Sequence, residues 1–373
     1  MKKILLVTSA LTGSGHKSIS DALAEQFSGM DDLDVLVIEG FELGGRIGMR
    51  IGRLYGTTTR HAPFLYNAIW QYTMNHPIKF RMEALLYDRR FMEVVRSYQP
   101  DLILTVHSMF NTVLTRMLKK HGLDIPVMVL QADIINIHSS WCNSQANMTI
   151  CPTQEAYNAS IRQGMNPDRL LVLGFPVRKR FCDAAQQPDA KGESPTAQAR
   201  CLMMSGGEGS GRLRAYAEAL LKNTDVKLTI VCGRNTRLRR TLKKKLSAKY
   251  GERVNVLGFV SDMEHLMLQN DVIVARSSPN TLFESVTMTL PVIMIGPLPK
   301  QETDNPRIMQ EHDLGIVCNS PAEAPLLLRQ LLCDHGDRLR KIRRAQRSYR
   351  NMDAARDIAA FVAEQAKSET YLP

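Results

Sequence analysis

The chain has 373 residues, of which 44% are hydrophobic, and carries a formal net charge of +11 at pH 7. Its length favours two domains over one core. The charge favours phosphate-rich partners, but the basic residues lack the motifs of nucleic-acid modules, so we expect no nucleic-acid partner. Seven cysteines without a Cys-x-x-Cys pair exclude a disulfide framework and a zinc knuckle, and no apolar run could span a bilayer. We therefore expect a cytosolic location.

A glycine-rich turn follows the first predicted strand, in the stretch TSALTGSGHKSISDAL over residues 8–23. Such a turn before a helix suits an anion. The spacing fits neither a P-loop, because His16 stands between Gly15 and Lys17, nor a dinucleotide fingerprint, because Ser18 replaces a glycine. At a helix N-terminus an imidazole stays neutral, so His16 is a candidate base for a substrate hydroxyl. The alternative is a histidine that only bonds a neighbouring loop.

The segment from Gly44 to Met82 has no acidic residue and combines arginines with aromatic residues. Three arginines, at 46, 50 and 53, would share one helix face. This pattern is typical of a membrane surface, with aromatic rings at the headgroup level. A solvated basic face beside a buried aromatic cluster explains it equally well, and the glycines at 44, 45, 48 and 52 weaken any helix here.

Short apolar runs alternate with helical patterns along most of the chain, which predicts an α/β protein with parallel sheets covered on both faces. We expect two doubly wound, Rossmann-like domains facing a central cleft. The predicted boundaries are 1–182 for the first domain, 183–198 for a polar linker and 199–352 for the second domain, and the last helix, 353–373, is a candidate to pack back on the first. Ligands in such sheets bind beyond the carboxyl ends of the strands.

Asp133 follows a predicted buried strand in VLQADIINIHSSW. A carboxylate there is costly unless it is solvated, paired or catalytic, which makes Asp133 the second candidate base. It could also hold a metal together with His138, but no ligand set of firm spacing supports one, and we expect no metal.

Two loops of the second half predict phosphate binding. In the stretch SGGEGSG, the backbone N–H groups of Gly206, Gly207 and Gly209 could bind a phosphate. The alternative is an ordinary flexible turn. The stretch ARSSPNTLFESV opens a helix and suits a diphosphate. Its Glu284 could bind a ribose, although the residues alone favour a capping box with Thr281.

The stretch PLPKQETDN follows the next predicted strand. Its Gln301, Glu302 and Asn305 could hydrogen-bond the hydroxyls of a sugar. The alternative is a solvated polar loop.

Taken in order, these motifs resemble those of the monogalactosyldiacylglycerol synthase and processive diacylglycerol glucosyltransferase family. The resemblance covers nearly the whole chain. The matching stretches are GSGHKSISDAL, YGTTTRHAPFLYNAIWQYT, PDLILTVHSMFN, CPTQEA, GFPVRKRF, SGGEGSG, CGRN, GFVSDM and LPVIMIGPLPKQETDN.

The resemblance implies an inverting GT-B glycosyltransferase that moves glucose or galactose from a UDP-sugar to diacylglycerol, without a cofactor, on the inner face of the cell membrane. It implies catalytic roles for His16 and Asp133 and donor-sugar contacts for Gln301, Glu302 and Asn305. UDP binding is implied for Gly206, Gly207, Gly209, Arg234, Phe259, Ser278, Asn280, Thr281 and Glu284. Acceptor or membrane contact is implied for Arg46, Arg50, Arg53, Tyr55, Pro63, Tyr66, Trp70 and Trp141.

The chain departs from the family at the diphosphate turn, where Ser-Ser-Pro-Asn-Thr, residues 277–281, replaces Ala-Gly-Pro-Gly-Thr. Asparagine tolerates positive φ best among the non-glycine residues, so we expect Asn280 to adopt it. Three alternative functions remain: a UDP-sugar 2-epimerase, a glycosyltransferase with a polyprenyl-diphosphate acceptor, and a catalytically silent membrane-binding relative.

Overall fold

The computed structural model describes residues 1–75, 81–187, 198–204, 213–276, 278–296 and 299–368. The chain divides into two compact units. The first contains Met1–Arg178, Pro299–Thr303 and Asp353–Pro373, and the second contains Lys179–Leu298 and Asp304–Met352.

Both units are built from parallel strands that alternate with helices. The strands are β1 Lys2–Thr8, β2 Leu33–Glu39, β3 Leu102–Thr105, β4 Val127–Leu130, β5 Met148–Cys151, β6 Leu170–Val172, β7 Arg200–Met204, β8 Lys227–Val231, β9 Val254–Leu257, β10 Val272–Ala275, β11 Val292–Ile295 and β12 Gly315–Cys318. The helices are α1 Ser14–Phe27, α2 Gly45–His61, α3 Pro63–Asn75, α4 Arg81–Tyr98, α5 Ser108–Lys120, α6 Gln154–Arg162, α7 Lys179–Ala185, α8 Leu213–Asn223, α9 Thr236–Leu242, α10 Ala248–Tyr250, α11 Met263–Leu268, α12 Pro279–Thr287, α13 Asn305–Glu311, α14 Ala324–Leu332, α15 Asp337–Tyr349 and α16 Ala354–Lys367.

The first sheet has the strand order β2-β1-β3-β4-β5-β6, and every neighbouring pair is parallel. Strands β3, β4 and β5 are buried along their whole length, which explains why their sequences are continuous apolar runs. The strand order reverses between β1 and β3. Loops that follow these two strands therefore form the crevice where doubly wound sheets bind ligands.

The second sheet has the order β12-β11-β10-β7-β8-β9 and is also parallel throughout. Counted within the unit, this is the order 3-2-1-4-5-6 of dinucleotide-binding sheets. The reversal lies between β7 and β10. The expectation of two Rossmann-like parallel sheets is confirmed.

Helix α2 forms over Gly45–His61 although its glycines lower the helix propensity of the segment. A Cβ on Gly48 would stand 2.3 Å from the backbone oxygen of Phe41, and one on Gly52 would stand 2.8 Å from the Phe41 ring. The glycines lie on the buried face, where they allow close approach to the 3-10 helix Gly40–Gly44. Tertiary packing outweighs helix propensity here.

The unit boundaries differ from the predicted domains in three places. Helix α7 continues to Ala185, into the predicted linker, because its Phe181 and Ala184 are buried. The short segment Pro299–Thr303 belongs to the first unit rather than the second. The transition from the first unit to the second comes after Arg178 instead of residue 182.

Helix α16 lies in the first unit, where it packs on α1 and β1. Its Ile358, Ala359 and Val362 are fully buried. In the described part of the chain, no helix is both long and apolar enough to cross a membrane.

Candidate active site

Two histidines meet at the strand-order reversal of the first sheet. His16 lies in the first turn of α1, after β1, and His107 follows β3 as the N-cap of α5. Their ring centroids are 4.4 Å apart. The carboxyl ends of β1 and β3 thus bring together two imidazoles that are 91 residues apart in sequence.

One hydrogen bond sets the protonation pattern of His16. Its Nδ1 lies 2.7 Å from the Val106 carbonyl oxygen. A carbonyl can only accept, so Nδ1 carries the proton and Nε2 of the neutral ring keeps a free lone pair. Burial lowers the pKa of His16 to about 4, against a smaller opposing effect of the Val106 bond. The side chain is therefore a neutral proton acceptor near pH 7.

His107 has the opposite tautomer. Its Nδ1 accepts the Met109 backbone N–H at 3.3 Å, so the neutral ring carries its proton on Nε2, which donates to Thr12 Oγ1 at 3.1 Å. Burial, and then the neighbouring His16, hold the pKa of His107 well below its ordinary value. Sequence reasoning did not predict this residue, although it directly follows a buried strand in the stretch DLILTVH.

Asp133 lies three residues beyond the end of β4. Trp141, which is 1% exposed, donates its Nε1–H to Asp133 Oδ2 at 2.7 Å. Burial raises the pKa of Asp133 to about 7, and the charge of Glu302 adds to the increase, whereas the Trp141 bond opposes it. The carboxyl group is therefore partly protonated at neutral pH.

Tyr55 from α2 and Tyr66 from α3 meet through their hydroxyl groups, whose oxygens are 3.1 Å apart. Their rings are perpendicular, with centroids 5.7 Å apart. The Tyr55 ring also lies 6.4 Å from the ring of His107. Burial raises the pKa of both tyrosines, so both stay neutral donors.

These six side chains form a cluster that we call the side-chain ring. His16 contacts His107, which contacts Tyr55, and Tyr55 bonds Tyr66. The charge of Asp133 acts on Tyr66, Asp133 bonds Trp141, and the Trp141 ring lies 6.2 Å from His16. The two candidate bases therefore belong to one cluster. The members are His16, Tyr55, Tyr66, His107, Asp133 and Trp141.

The segment Pro299–Thr303 is held against the first unit by two asparagines. Asn67 Oδ1 accepts the Lys300 backbone N–H at 3.0 Å, and the Lys300 carbonyl accepts from Asn136 Nδ2 at 2.9 Å. Glu302 is buried and lies close enough to raise the pKa of Asp133. Gln301 Oε1 is buried and has no hydrogen-bond partner among the described residues. A buried acceptor of this kind is satisfied when a ligand donates to it.

Three of the aromatic residues predicted to contact the acceptor or the membrane are buried. Tyr66, Trp70 and Trp141 are buried, and the Trp70 ring packs 5.1 Å from the ring of His138. This burial fits the alternative of a buried aromatic cluster beside a basic face, and the acceptor contact of the three residues stays a prediction. The Pro63 side chain lies outside the described part of the chain.

The opposite face of α3 and the outer face of α2 expose apolar side chains. Phe64 is 88% exposed, and Arg46, Arg50 and Arg53 are exposed as predicted. We call this the α2–α3 surface. Its exposed large apolar members are Ile47, Leu54, Phe64, Leu65, Ile69 and Tyr72.

In the second unit, the Arg234 guanidinium lies over the Phe259 ring at 5.3 Å. Phe259 is 63% exposed although it is large and apolar. An exposed ring beside a cation is a surface on which a planar, anionic ligand could stack. The glycines Gly206, Gly207 and Gly209 lie outside the described residues.

The start of α12 shows neither the capping box of Thr281 with Glu284 nor the positive φ expected at Asn280. The helix begins at Pro279 after Ser278, so Glu284 is its sixth residue and the capping box with Thr281 does not form. Thr281 Oγ1 instead accepts from Ser278 Oγ at 2.9 Å. Asn280 is helical and has no positive φ, because proline fixes the first helical turn around it. The prediction for its backbone is therefore wrong.

Asn305 and a possible metal site are the last candidates to be placed. Asn305 is buried at the start of α13. Among the residues that the structure describes, no group of three or more histidine, cysteine or acidic side chains is arranged to hold a metal ion.

Two family models match the chain. Residues 16–177 match the model of monogalactosyldiacylglycerol (MGDG) synthase, and residues 212–332 match the model of glycosyl transferases group 1. The side-chain ring lies wholly within the first match.

One curated relative is the Oryza sativa subsp. japonica protein named "Probable monogalactosyldiacylglycerol synthase 2, chloroplastic". It is 26% identical over 363 residues, which cover 91% of this chain and 76% of the relative. The fold resembles that of Acinetobacter baumannii MurG, with a TM-score of 0.66, 16% identity and coverage of 98% and 100% of the two chains. It also resembles Neisseria meningitidis UDP-GlcNAc 2-epimerase bound to UDP-GlcNAc, with a TM-score of 0.62, 12% identity and coverage of 98% and 100%. The matches to the family model and the curated relative confirm the expected resemblance to the MGDG synthases. The solved structures confirm the two-domain GT-B fold.

Proposed function

We propose that this chain, a glycosyltransferase related to the MGDG synthases, transfers a hexose from a UDP-sugar to the free hydroxyl of diacylglycerol at a membrane surface. The observation that carries the proposal is the side-chain ring with its neutral His16. It stands at the strand-order reversal of the first sheet, and it falls inside the match to the MGDG synthase model.

In the proposed reaction, His16 Nε2 takes the proton of the lipid hydroxyl. The hydroxyl oxygen then bonds to the anomeric carbon of the sugar, and the bond from that carbon to the diphosphate oxygen breaks. The Val106 carbonyl holds the imidazole in the required tautomer and favours its charged form. The negative charge of a nearby diphosphate would favour protonation further.

Asp133 is the second candidate base. Its pKa of about 7 matches the ionisation that a base needs near neutral pH. The two candidates differ in the pH dependence that they impose. A reaction that needs ionised Asp133 gains rate as the pH rises through about 7, whereas one that needs neutral His16 is independent of His16 ionisation above about pH 5.

The proposed donor site uses the second unit for UDP. The two loops at the reversal of the second sheet, after β7 and β10, are those with the candidate phosphate-binding residues. The free N–H groups at the start of α12, together with Arg234, would stabilise the leaving diphosphate, so we propose that no metal is needed. For Glu284, in the second turn of α12, we propose contact with the ribose hydroxyls.

For the sugar itself we propose Gln301, Glu302 and Asn305. The unpartnered Oε1 of Gln301 supports this, because a sugar hydroxyl can donate to it. The hydrogen bonds of Lys300 to Asn67 and Asn136 hold this segment in place.

The proposed membrane contact is the α2–α3 surface. Exposed apolar side chains on two adjacent helices, with three arginines beside them, fit the boundary between acyl chains and headgroups. We propose a peripheral location on the inner face of the cell membrane on this basis.

The experiment is UDP release by the purified chain, with UDP-galactose or UDP-glucose, in the presence and absence of diacylglycerol vesicles. The proposal predicts release that requires diacylglycerol. Release only with a polyprenyl-diphosphate acceptor, or conversion of UDP-N-acetylglucosamine without any acceptor, would replace it by the corresponding alternative. Vesicle binding without UDP affinity would identify a catalytically silent relative.

A further inference from the structure

A basic face covers the solvent side of α9 and the π-helix Lys243–Ser247 that follows it. Between Val226 and Gly251 the sequence contains no acidic residue. Six exposed basic side chains lie on α9 and the π-helix themselves. We call them the α9 basic face: Arg237, Arg239, Arg240, Lys243, Lys244 and Lys245.

The opposite side of the same helical stretch is firmly anchored. Leu242 and Leu246 are fully buried in the core of the second unit, and Leu238 and Tyr250 pack against that core. These residues are four apart. In an α-helix a step of four overshoots a full turn by about 40°, and the wider π-helix turn offsets this drift. The apolar stripe therefore stays on the core, and the six cations stay outside.

Ion pairs with described residues do not neutralise the α9 basic face. Within the described ranges, none of the six takes part in an ion pair. Two like-charged pairs, Arg239 with Lys243 and Arg240 with Lys244, are spaced four apart, which destabilises a helix. Helix α15 differs, because its Arg338 and Arg340 pair with Asp313 and Asp337. Unpaired cations that repel one another are stabilised by an external anionic surface.

We propose that the α9 basic face is a second membrane contact, on the second unit, that binds the anionic headgroups of a bilayer. The choice of occupant rests on the proposed function, because a diacylglycerol acceptor lies in a bilayer. A row of exposed cations with no apolar residue outside fits attraction to lipid phosphates without insertion. A nucleic acid is less favoured because no aromatic residue is interleaved with the cations between Arg237 and Lys245.

The test compares two triple variants of the full chain, each lowering the net charge by three. One is Arg237→Gln with Arg240→Gln and Lys244→Gln. The matched control is Lys222→Gln with Lys341→Gln and Arg344→Gln, which are exposed cations elsewhere on the second unit. Binding is measured by co-sedimentation with phosphatidylcholine vesicles that contain about 30% phosphatidylglycerol, without diacylglycerol or sugar nucleotide.

The first triple variant should lower vesicle partitioning by roughly 100-fold, at about 1 kcal/mol per cation, and the control far less. Thermal unfolding should stay unchanged or rise slightly, because like-charge repulsion is relieved. Equal losses in both variants, or none in the first, would overturn the proposal. Tighter binding to a DNA duplex at equal phosphate concentration, lost in the first variant, would also overturn it. Because the assay contains no substrate, an enzymatically inactive chain can still pass it.

Discussion

At the residue scale, His16 and His107 show how a hydrogen bond decides what an imidazole can do. Both rings are neutral, but they carry their protons on different nitrogens because their partners differ. His16 leaves Nε2 free, whereas His107 uses both nitrogens, toward Met109 and Thr12. Of the two, His16 is therefore the one able to accept a proton from a substrate.

Replacing His16 with alanine should lower kcat by about 10²- to 10⁴-fold, because a general base is lost. KM for the UDP-sugar should change little. The matched control is His265→Gln, an exposed histidine of the second unit, which should keep full turnover. Steady-state kinetics checks both, and full turnover of His16→Ala would contradict the assignment.

The variant Asp133→Asn tests whether Asp133, the second candidate base, ionises near neutral pH, through its effect on the free energy of unfolding. The pKa of Asp133 is raised from its ordinary value to about 7, so the folded state binds more protons between about pH 4 and 7, and stability falls as the pH rises through this window. The variant keeps an acceptor for Trp141 but cannot ionise. At pH 8 it should be more stable than the parent by about 1–2 kcal/mol, because the parent must bury an ionised carboxylate. This figure is smaller than the free energy equivalent of the whole pKa shift, since Asp133 is partly exposed to solvent.

The stability difference between Asp133→Asn and the parent should vanish near pH 4. Denaturant unfolding at the two pH values measures it. A difference that is independent of pH would show that Asp133 does not ionise in this range.

The residues of the site were only partly predictable from the sequence. Asp133 was predictable because it lies three residues beyond the buried strand β4, and His16 because it interrupts the glycine-rich turn at the start of α1. For Tyr66 and Trp70 the sequence allows a lipid surface or a buried cluster, because composition does not tell which face of α3 meets the first unit. His107 was not predictable from the sequence because its neighbourhood with His16 depends on the order of β1 and β3 in the sheet.

At the element scale, α2 depends on glycine for its packing. In Gly48→Ala the new Cβ would stand 2.3 Å from the Phe41 backbone oxygen, which cannot move aside as a flexible side chain could. We expect a loss of about 1–3 kcal/mol, as for other overpacked sites. The control is Gly29→Ala, whose Cβ would come no closer than 3.6 Å to its neighbour. Chemical denaturation compares them, and equal stabilities would contradict the packing role.

The α2–α3 surface gives a second prediction at this scale. Phe64→Ser with Ile69→Ser should weaken binding to vesicles at least 10-fold, because two apolar side chains can no longer enter the boundary region. The weakening should persist at high salt, unlike that of an arginine variant. Leu326→Ser, at an exposed site in the second unit, is the control. Unchanged partitioning would remove this surface from the membrane contact.

The strands were more predictable than the helix starts. A strand buried on both faces is a continuous apolar run, and this signal is local. The start of α12 depends on the proline at its first position and on the Ser278–Thr281 bond, so the Thr-x-x-Glu pattern that indicates a cap has no such role here. The π-helix after α9 also has no signal in the sequence pattern.

At the scale of the whole molecule, the two units place their candidate sites by the same rule. Each sheet reverses its strand order once, and His16 and His107 in the first unit and residues 278–281 in the second follow strands at that reversal. The first unit supplies a proton acceptor and exposed apolar helices, and the second supplies helix N-terminal N–H groups and cations. This division is what transfer between a lipid and a nucleotide sugar requires.

The most direct measurement is mass spectrometry of the lipid formed from diacylglycerol vesicles and UDP-galactose or UDP-glucose. With at least one donor we expect a diacylglycerol that has gained one hexose. The His16→Ala variant should not form this product. No hexosyl lipid with either donor, from a chain that binds the vesicles and UDP, would contradict it.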